Sequence, residues 1–444
     1  MTLDLSPKEI SPLPLGVERT PQGVLTFSGI SLKELAAHYG TPLYVLSADV
    51  ARQRAREILH AFQKVLGPRI YVSYAMKALY IPAFLAALKD LPLHFDAASA
   101  GEVLAAQKAG IGPGRLRLHG NNKTDGELRL AAGGGVGEVI VDNLDELSRW
   151  LSLSPKEGVR FTLRVAPGIS PDTHEYIATG GRGGKFGLDL ESGEALLALR
   201  EAQRGGLPIR GLHAHLGSQI QDPFLYGKAL EKLLDLRAAW AGETGRWLEE
   251  VNVGGGAAVR YGKENELSPE TWAQALADAL ARRPWREPRP VVGIEPGRAI
   301  AAPAGLTLYE VGDGHRVDGF VPVVAVDGGM GDNIRPALYG AHYEAARVEA
   351  GTANDEEATH LVGRYCESGD ILLREALLPR LRRGDLLAMF LTGAYTHPMA
   401  MAYNGIPRAA AVLLEEGRHS LVWRRETEED LFRFHRMAPW QETS

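Results

Sequence analysis

Residues 69–95 contain Arg69-Ile70-Tyr71-Val72-Ser73-Tyr74-Ala75, then a helical stretch over 81–89, then Pro92-Leu93-His94-Phe95. A β-rich run, a longer helical pattern and a second β-rich run form the repeating unit of parallel sheets. The alternation continues to about residue 300. Further β-rich runs lie at 115–119, 138–141, 160–165, 209–215, 250–253 and 290–295, making eight. Helical stretches such as 101–109 and 224–241 separate them, and Ser99-Ala100-Gly101-Glu102 has the spacing of a capping box. Eight such units predict an α/β chain with a (β/α)8 TIM-type barrel over residues 45–305, with a doubly wound open sheet as the alternative.

Outside this region the alternation stops. Residues 306–444 carry β-rich runs at 306–311, 320–326, 385–391, 409–414 and 420–424, the last two flanking the turn Glu415-Glu416-Gly417. The first forty-odd residues contain the strand-like Val24-Leu25-Thr26-Phe27. Residues 1–44 and 306–444 are therefore expected to build one β-rich domain around the inserted barrel. The loop over 167–187 is long and glycine-rich, which in a compact domain marks a functional loop.

Bulk composition narrows the function. A net charge of −6 argues against a nucleic-acid partner, because phosphate contacts demand a basic surface. No apolar run of about 18 residues appears, so no membrane span is expected. Met1-Thr2-Leu3-Asp4-Leu5 has neither the basic start nor the apolar stretch of a signal peptide. The expected location is the cytoplasm. The lone cysteine, Cys366, fits a reducing compartment, and no metal is expected. Cys366 itself reads either as a small buried hydrophobe or as a reactive group.

A (β/α)8 barrel carries its chemistry at the C-terminal ends of its strands. Here those ends hold Tyr74-Ala75-Met76-Lys77, Asp96, His119, Arg164, His213-Ala214-His215-Leu216-Gly217-Ser218-Gln219, Gly254-Gly255-Gly256 and Glu295-Pro296-Gly297-Arg298. Lys77 follows an apolar strand, where desolvation would free a nucleophilic amine; the alternative is a lysine whose head reaches the rim. Gly254-Gly255-Gly256, after the seventh strand, lets backbone amides approach a phosphate, or is a plain tight turn. Ser218 adds a hydroxyl. His215 either stacks on an aromatic ring or is a satisfied core histidine. Glu295 is costly to bury without a partner, and a protonated ring nitrogen would provide one. Together these are parts for pyridoxal 5'-phosphate. A carboxylate on the ring nitrogen makes the cofactor a strong electron sink, which suits decarboxylation better than racemisation.

With these motifs the sequence resembles the alanine-racemase-fold decarboxylases that use pyridoxal phosphate, and within them most the diaminopimelate decarboxylases. The resemblance runs from about residue 40 to 415. It rests on Tyr74-Ala75-Met76-Lys77-Ala78, His215 to Gln219, Gly254 to Gly256 and Glu295 to Arg298. Substrate-side likeness lies in Thr173-His174-Glu175-Tyr176-Ile177-Ala178-Thr179-Gly180, Lys185-Phe186-Gly187, Ile334-Arg335-Pro336-Ala337-Leu338-Tyr339, Cys366-Glu367-Ser368-Gly369-Asp370 and Gly393-Ala394-Tyr395. The sequence departs from the family pattern at Leu79, at Arg364-Tyr365, at His397-Pro398-Met399 and over Tyr403-Asn404-Gly405-Ile406-Pro407-Arg408.

The resemblance implies decarboxylation of meso-2,6-diaminopimelate to L-lysine and carbon dioxide. Lys77 would carry the cofactor as an imine and Cys366 would donate a proton. Asp96, His215, Ser218, Gly254, Gly255, Gly256, Glu295, Gly297, Arg298 and Tyr395 would complete the cofactor site. Arg298, Arg335, Tyr339, Glu367 and Tyr395 would bind the substrate, with the two arginines on its distal carboxylate. The family also implies a homodimer in which the Cys366 segment reaches the partner subunit's site. Alternatives are a decarboxylase of ornithine, arginine, lysine or carboxynorspermidine, and a non-catalytic cofactor-binding regulatory relative. Ornithine, arginine and lysine lack the distal carboxylate that would need the arginines.

Overall fold

The computed structural model describes residues 13–169, 183–262, 265–283, 288–350 and 356–441; the segment 173–180 lies outside them. The chain divides into two compact units, Ala51–Ala302 and the two chain ends, up to Val50 and from Pro303.

Among the described residues of Ala51–Ala302, eight strands pair in parallel around a ring, and the two-residue strand Leu188–Asp189 pairs beside the fifth. The eight are β1 (Ile70–Ala75), β2 (Leu93–Ala97), β3 (Leu116–Leu118), β4 (Glu138–Val141), β5 (Arg160–Ala166), β6 (Ile209–His213), β7 (Glu250–Asn252) and β8 (Val291–Ile294). Each pairs with the next in chain order, and β8 closes on β1, with Gly293 opposite Tyr71 and Ile294 opposite Val72. The closure makes this a barrel and excludes the open sheet. Amphipathic helices cover it, and Trp150 and Trp272 are fully buried on their inner faces. Side-chain caps at Ser99, Asn143 and Ser268 satisfy first-turn amides. The expected capping box at Ser99 forms only by half. Ser99 accepts from the Glu102 N–H, but the Glu102 carboxylate accepts from the Ala98 N–H (2.7 Å). A full box closes at Thr124 and Glu127 instead.

The N-terminal half of the barrel interior is charged. Arg117 of β3 pairs with Glu138 of β4 (2.9 Å) and Glu250 of β7 (3.4 Å), and its guanidinium lies 3.9 Å from the centre of the Tyr71 ring of β1. Thr162 of β5 donates to Glu138 (2.7 Å). Burial pushes Glu250 up to about 7, with Arg117 pulling the other way and Glu138 adding to the rise.

The chain ends form their own sheet. Leu43–Ser47 lies between Gly305–His315, antiparallel to it, and Ala410–Glu415, parallel to it. The sheet continues through Val323–Val326 to the strand pair Glu356–Val362 and Ile371–Pro379, and on the other side ends at Arg418–Trp423. Leu386–Met389 also pairs with Gly305–His315. The turns between these strands carry Arg335, Cys366 and Tyr395.

Arg117→Met should lower the unfolding free energy by about 3–5 kcal/mol, because it strips the inner cation from Glu250 and leaves Glu138 only the outer Arg160 (3.3 Å); urea denaturation measures this. Glu250 has a raised folded-state pKa of about 7, so its contribution is fully present below the unfolded value and is lost as pH rises through about 7. The stability of the wild type relative to Glu250→Gln should therefore fall between about pH 5 and pH 8.

Candidate active site

Glu295 follows β8 at the C-terminal mouth of the barrel and is only 7% exposed. Asn252 Nδ2 donates to its Oε1 (2.8 Å), and His213 Nε2 donates to its Oε2 (3.0 Å). Burial opposes the charge, but the facing His213 and its hydrogen bond outweigh it and hold the carboxyl well below the usual range. Asp96, at the end of β2, goes the other way. Burial and the neighbouring Glu295 charge push it well above that range, and Ser73 Oγ donates to its Oδ1. The two carboxyls are thus pushed in opposite directions by their surroundings. His119 sits beside both, with Nε2 3.5 Å from Asp96 Oδ1 and 3.7 Å from Glu295 Oε1. Burial keeps that imidazole neutral.

The glycine run after β7 is built by close backbone approach. Gly254 adopts φ +74° and Gly256 φ +98°, and a Cβ on Gly256 would lie 2.0 Å from the Gly217 carbonyl oxygen. Two of its amides are engaged within the protein: Gly254 N–H donates to Asn252 Oδ1 (2.7 Å) and Gly255 N–H to His215 Nδ1 (3.2 Å). The second bond places the His215 proton on Nε2, and burial followed by the Lys77 charge keeps the ring neutral. Ser218 receives a hydrogen bond from Arg298 Nη2 (3.0 Å), whose Nη1 donates to Tyr261 (3.0 Å). Arg298 therefore stands against the Ser218 hydroxyl. Gly297 packs on the turn after β1, where a Cβ would come 3.0 Å from the Ala75 oxygen.

Lys77 lies on that turn, Met76–Ala78, directly after β1. Its side chain is exposed, which corrects the expectation of a desolvated ammonium. A one-turn 3₁₀ segment lifts the amine out of the apolar strand. Its charge acts on His215 and Glu102. Arg164 of β5 faces Asp142 (3.8 Å) and carries the Phe186 ring 4.4 Å from its guanidinium carbon, which places the Lys185-Phe186-Gly187 segment at the end of β5.

The remaining expected residues belong to the β-rich unit. Arg335, 5% exposed, lies near the rings of Tyr339 (5.3 Å) and Tyr395 (5.7 Å). Its Nε has no hydrogen-bond partner, and the guanidinium no carboxylate, among the described residues. Tyr395 is held at φ +58°, a conformation uncommon for a tyrosine. Cys366 and Glu367 are exposed, so the reading of Cys366 as a buried hydrophobe does not hold. The loop carrying them is clamped. Asp370 accepts from Met330 N–H (2.6 Å) and Tyr365 N–H (2.8 Å), and Asn404 Oδ1 accepts from Cys366 N–H (2.8 Å).

The sequence reading places His119 and His213 at the strand ends but gives them no role, and it does not single out Asn252, Tyr261 or Asn404 as site residues. His213 and Asn252 are the last residues of their strands, each two positions before a motif residue, His215 and Gly254.

The site suits pyridoxal phosphate. It offers an ionised buried carboxylate for a ring nitrogen, a neutral flat imidazole, a glycine turn flanked by a serine and an arginine, and an exposed primary amine. The family model for the pyridoxal-dependent decarboxylase pyridoxal-binding domain matches residues 52–302. This chain belongs to the pyridoxal-dependent decarboxylases, and its cofactor is pyridoxal 5'-phosphate. The chain is 39% identical to a diaminopimelate decarboxylase of Bacillus subtilis over 94% of its length and 96% of the relative's. It is 42% identical to one from Actinosynnema pretiosum, over 95% and 94%. The crystal structure of a diaminopimelate decarboxylase from M. jannaschii in complex with L-lysine superposes with a TM-score of 0.89 at 30% identity, covering 96% of this chain and 99% of that one. Within the decarboxylases it therefore belongs to the diaminopimelate decarboxylase family, as its motifs suggested. No described helix is long and apolar enough to cross a membrane.

Asp370→Ala leaves two loop amides without an acceptor and should lower stability by about 1–3 kcal/mol. Hydrogen exchange at Met330, Tyr365 and Cys366 should accelerate, while amides of β1 to β8 keep their protection.

Proposed function

We propose that this enzyme decarboxylates meso-2,6-diaminopimelate to L-lysine and carbon dioxide, the last step of lysine biosynthesis, in the cytoplasm. The observation that carries the substrate is Arg335. A buried guanidinium without a carboxylate partner among the described residues, flanked by two tyrosines, is costly unless an anion completes it. The distal carboxylate of diaminopimelate is such an anion, and Tyr339 adds a hydroxyl. Lysine, ornithine and arginine bring no carboxylate to that position, so they would leave the guanidinium uncompensated.

Pyridoxal phosphate, when bound, supplies the electron sink that makes loss of an α-carboxylate feasible. The chain's own residues set the terms. Lys77 would hold the cofactor's aldehyde carbon through Nζ and yield that position to the substrate amine. Glu295, kept ionised by Asn252 and His213, would hold a proton on the ring nitrogen. Gly256, Ser218 and Arg298 would hold phosphate, with Asp96, Gly254, Gly255, Gly297 and Tyr395 completing the cofactor's surroundings. His215, its Nδ1 fixed by Gly255, would lie on the ring face. Glu367 would receive the distal ammonium. Carbon dioxide leaves with its bonding electrons remaining on the substrate side, and the Cys366 thiol would return a proton to the α-carbon.

The exposed loop of Cys366 and Glu367 supports a homodimer in which each chain lends this loop to the partner subunit's barrel mouth. In this reading the barrel unit holds the cofactor, and the β-rich unit carries the substrate and dimer contacts.

Carbon dioxide release should be strong from meso-diaminopimelate and negligible from lysine, ornithine and arginine; the reverse preference would refute the substrate. Arg335→Met should raise KM for diaminopimelate about 10- to 100-fold. Lys77→Ala should abolish the visible absorbance of the lysine-bound cofactor. Mixing Lys77→Ala chains with Cys366→Ala chains should restore up to one working site per heterodimer, and verified heterodimers without activity would refute the shared site.

A further inference from the structure

We infer that Asn252 is a positioning residue that ties the glycine turn to the acid at the ring nitrogen, so that both ends of the cofactor site are set by one side chain. The inference rests on the cofactor reading above and adds to it a residue outside the set that reading draws from the sequence motifs.

Asn252 is the last residue of β7 and is fully buried. Its amide makes three hydrogen bonds. Oδ1 accepts from Gly254 N–H (2.7 Å), while Nδ2 donates to Glu295 Oε1 (2.8 Å) and to the Tyr71 hydroxyl (3.0 Å). Its orientation is fixed by chemistry. A backbone N–H needs an acceptor and an ionised carboxylate accepts only, so the oxygen must face Gly254 and the nitrogen Glu295. The main chain repeats the tie, since Glu295 N–H donates to the Gly254 carbonyl (2.9 Å). The Gly254 turn in turn sets Gly255, whose N–H fixes His215. No other residue type provides this pattern at the same size. Aspartate keeps the acceptor for Gly254 but sets a second carboxylate oxygen against Glu295. Alanine removes both ends.

The consequence is a defined change in cofactor affinity. In Asn252→Asp, two carboxylates would share one proton or repel each other. The groups facing that pair are Tyr71, Asp96, His119, Arg164, His213 and His215.

The test is titration of apo-protein with pyridoxal phosphate at pH 6 and pH 8, followed by cofactor absorbance, with circular dichroism confirming the fold. The variants are Asn252→Asp, Asn252→Ala and Tyr71→Phe, each compared with wild type at the same pH. Asn252→Asp should bind about tenfold or more weakly at pH 8. Its deficit relative to wild type should shrink at pH 6, where a shared proton restores the donor. Asn252→Ala should be weak at both pH values. Tyr71→Phe keeps both cofactor-facing bonds of Asn252 and should stay within about threefold of wild type. Binding by both Asn252 variants within about twofold of wild type would overturn the inference. So would a loss in Tyr71→Phe as large as in Asn252→Asp, because the effect would then be general to the barrel. Wild-type protein that takes up no pyridoxal phosphate would overturn the cofactor reading itself, and this inference with it.

Discussion

A carboxylate buried at the mouth of a parallel barrel must be kept charged by its surroundings, and Glu295 is where that requirement falls. Each of its two oxygens is held by its own donor, Oε1 by Asn252 of β7 and Oε2 by His213 of β6. Those residues are brought together only because adjacent parallel strands end at the same level of the barrel. The charge of Glu295 in turn pushes the neighbouring Asp96 carboxyl upward. The glycine turn, the orientation of His215 and the shift of Asp96 are all tied to one buried negative charge.

The barrel interior is layered by chemistry. Near the N-terminal strand ends, arginine and glutamate side chains neutralise one another; near the C-terminal ends, imidazoles and carboxylates stand ready for a ligand. Tyr71 and Asn252 lie between the two layers, the hydroxyl of one accepting from the amide of the other. A ring of apolar side chains would stabilise the barrel as well or better. The polar filling holds side-chain orientation, which an apolar layer would leave to packing alone.

The barrel was legible because its strands are short apolar runs at regular spacing, and because the ligand-facing motifs follow them directly. Strand ends were less so. The run at 209–215 reads as one strand, but ladder pairing stops at His213, where the chain turns so that His215 can meet Gly255. In the β-rich unit, the paired strands Glu356–Val362 and Ile371–Pro379 escaped notice because charged residues interrupt their apolar pattern. Leu43–Ser47 was passed over although all five residues are buried. The exposure of Lys77 depends on a single turn of backbone that no residue type announces. Asn404 lies where the sequence departs from its family, yet it holds the Cys366 amide. Side-chain partners set by tertiary closure, such as Asn252 with Glu295, are invisible to local pattern.

The arginine at the base of the barrel has one more implication. Arg117 joins groups from β1, β4 and β7, so three of its partners come from strands far apart in the chain. Glu250 meets its cation only once the second half of the barrel has docked on the first. A fragment ending before β7 would hold Arg117 with half its counter-charge, and a fragment beginning after β4 would hold Glu250 with no Arg117 at all. Any attempt to splice the halves of such a barrel onto foreign partners must carry the matching charge across the seam.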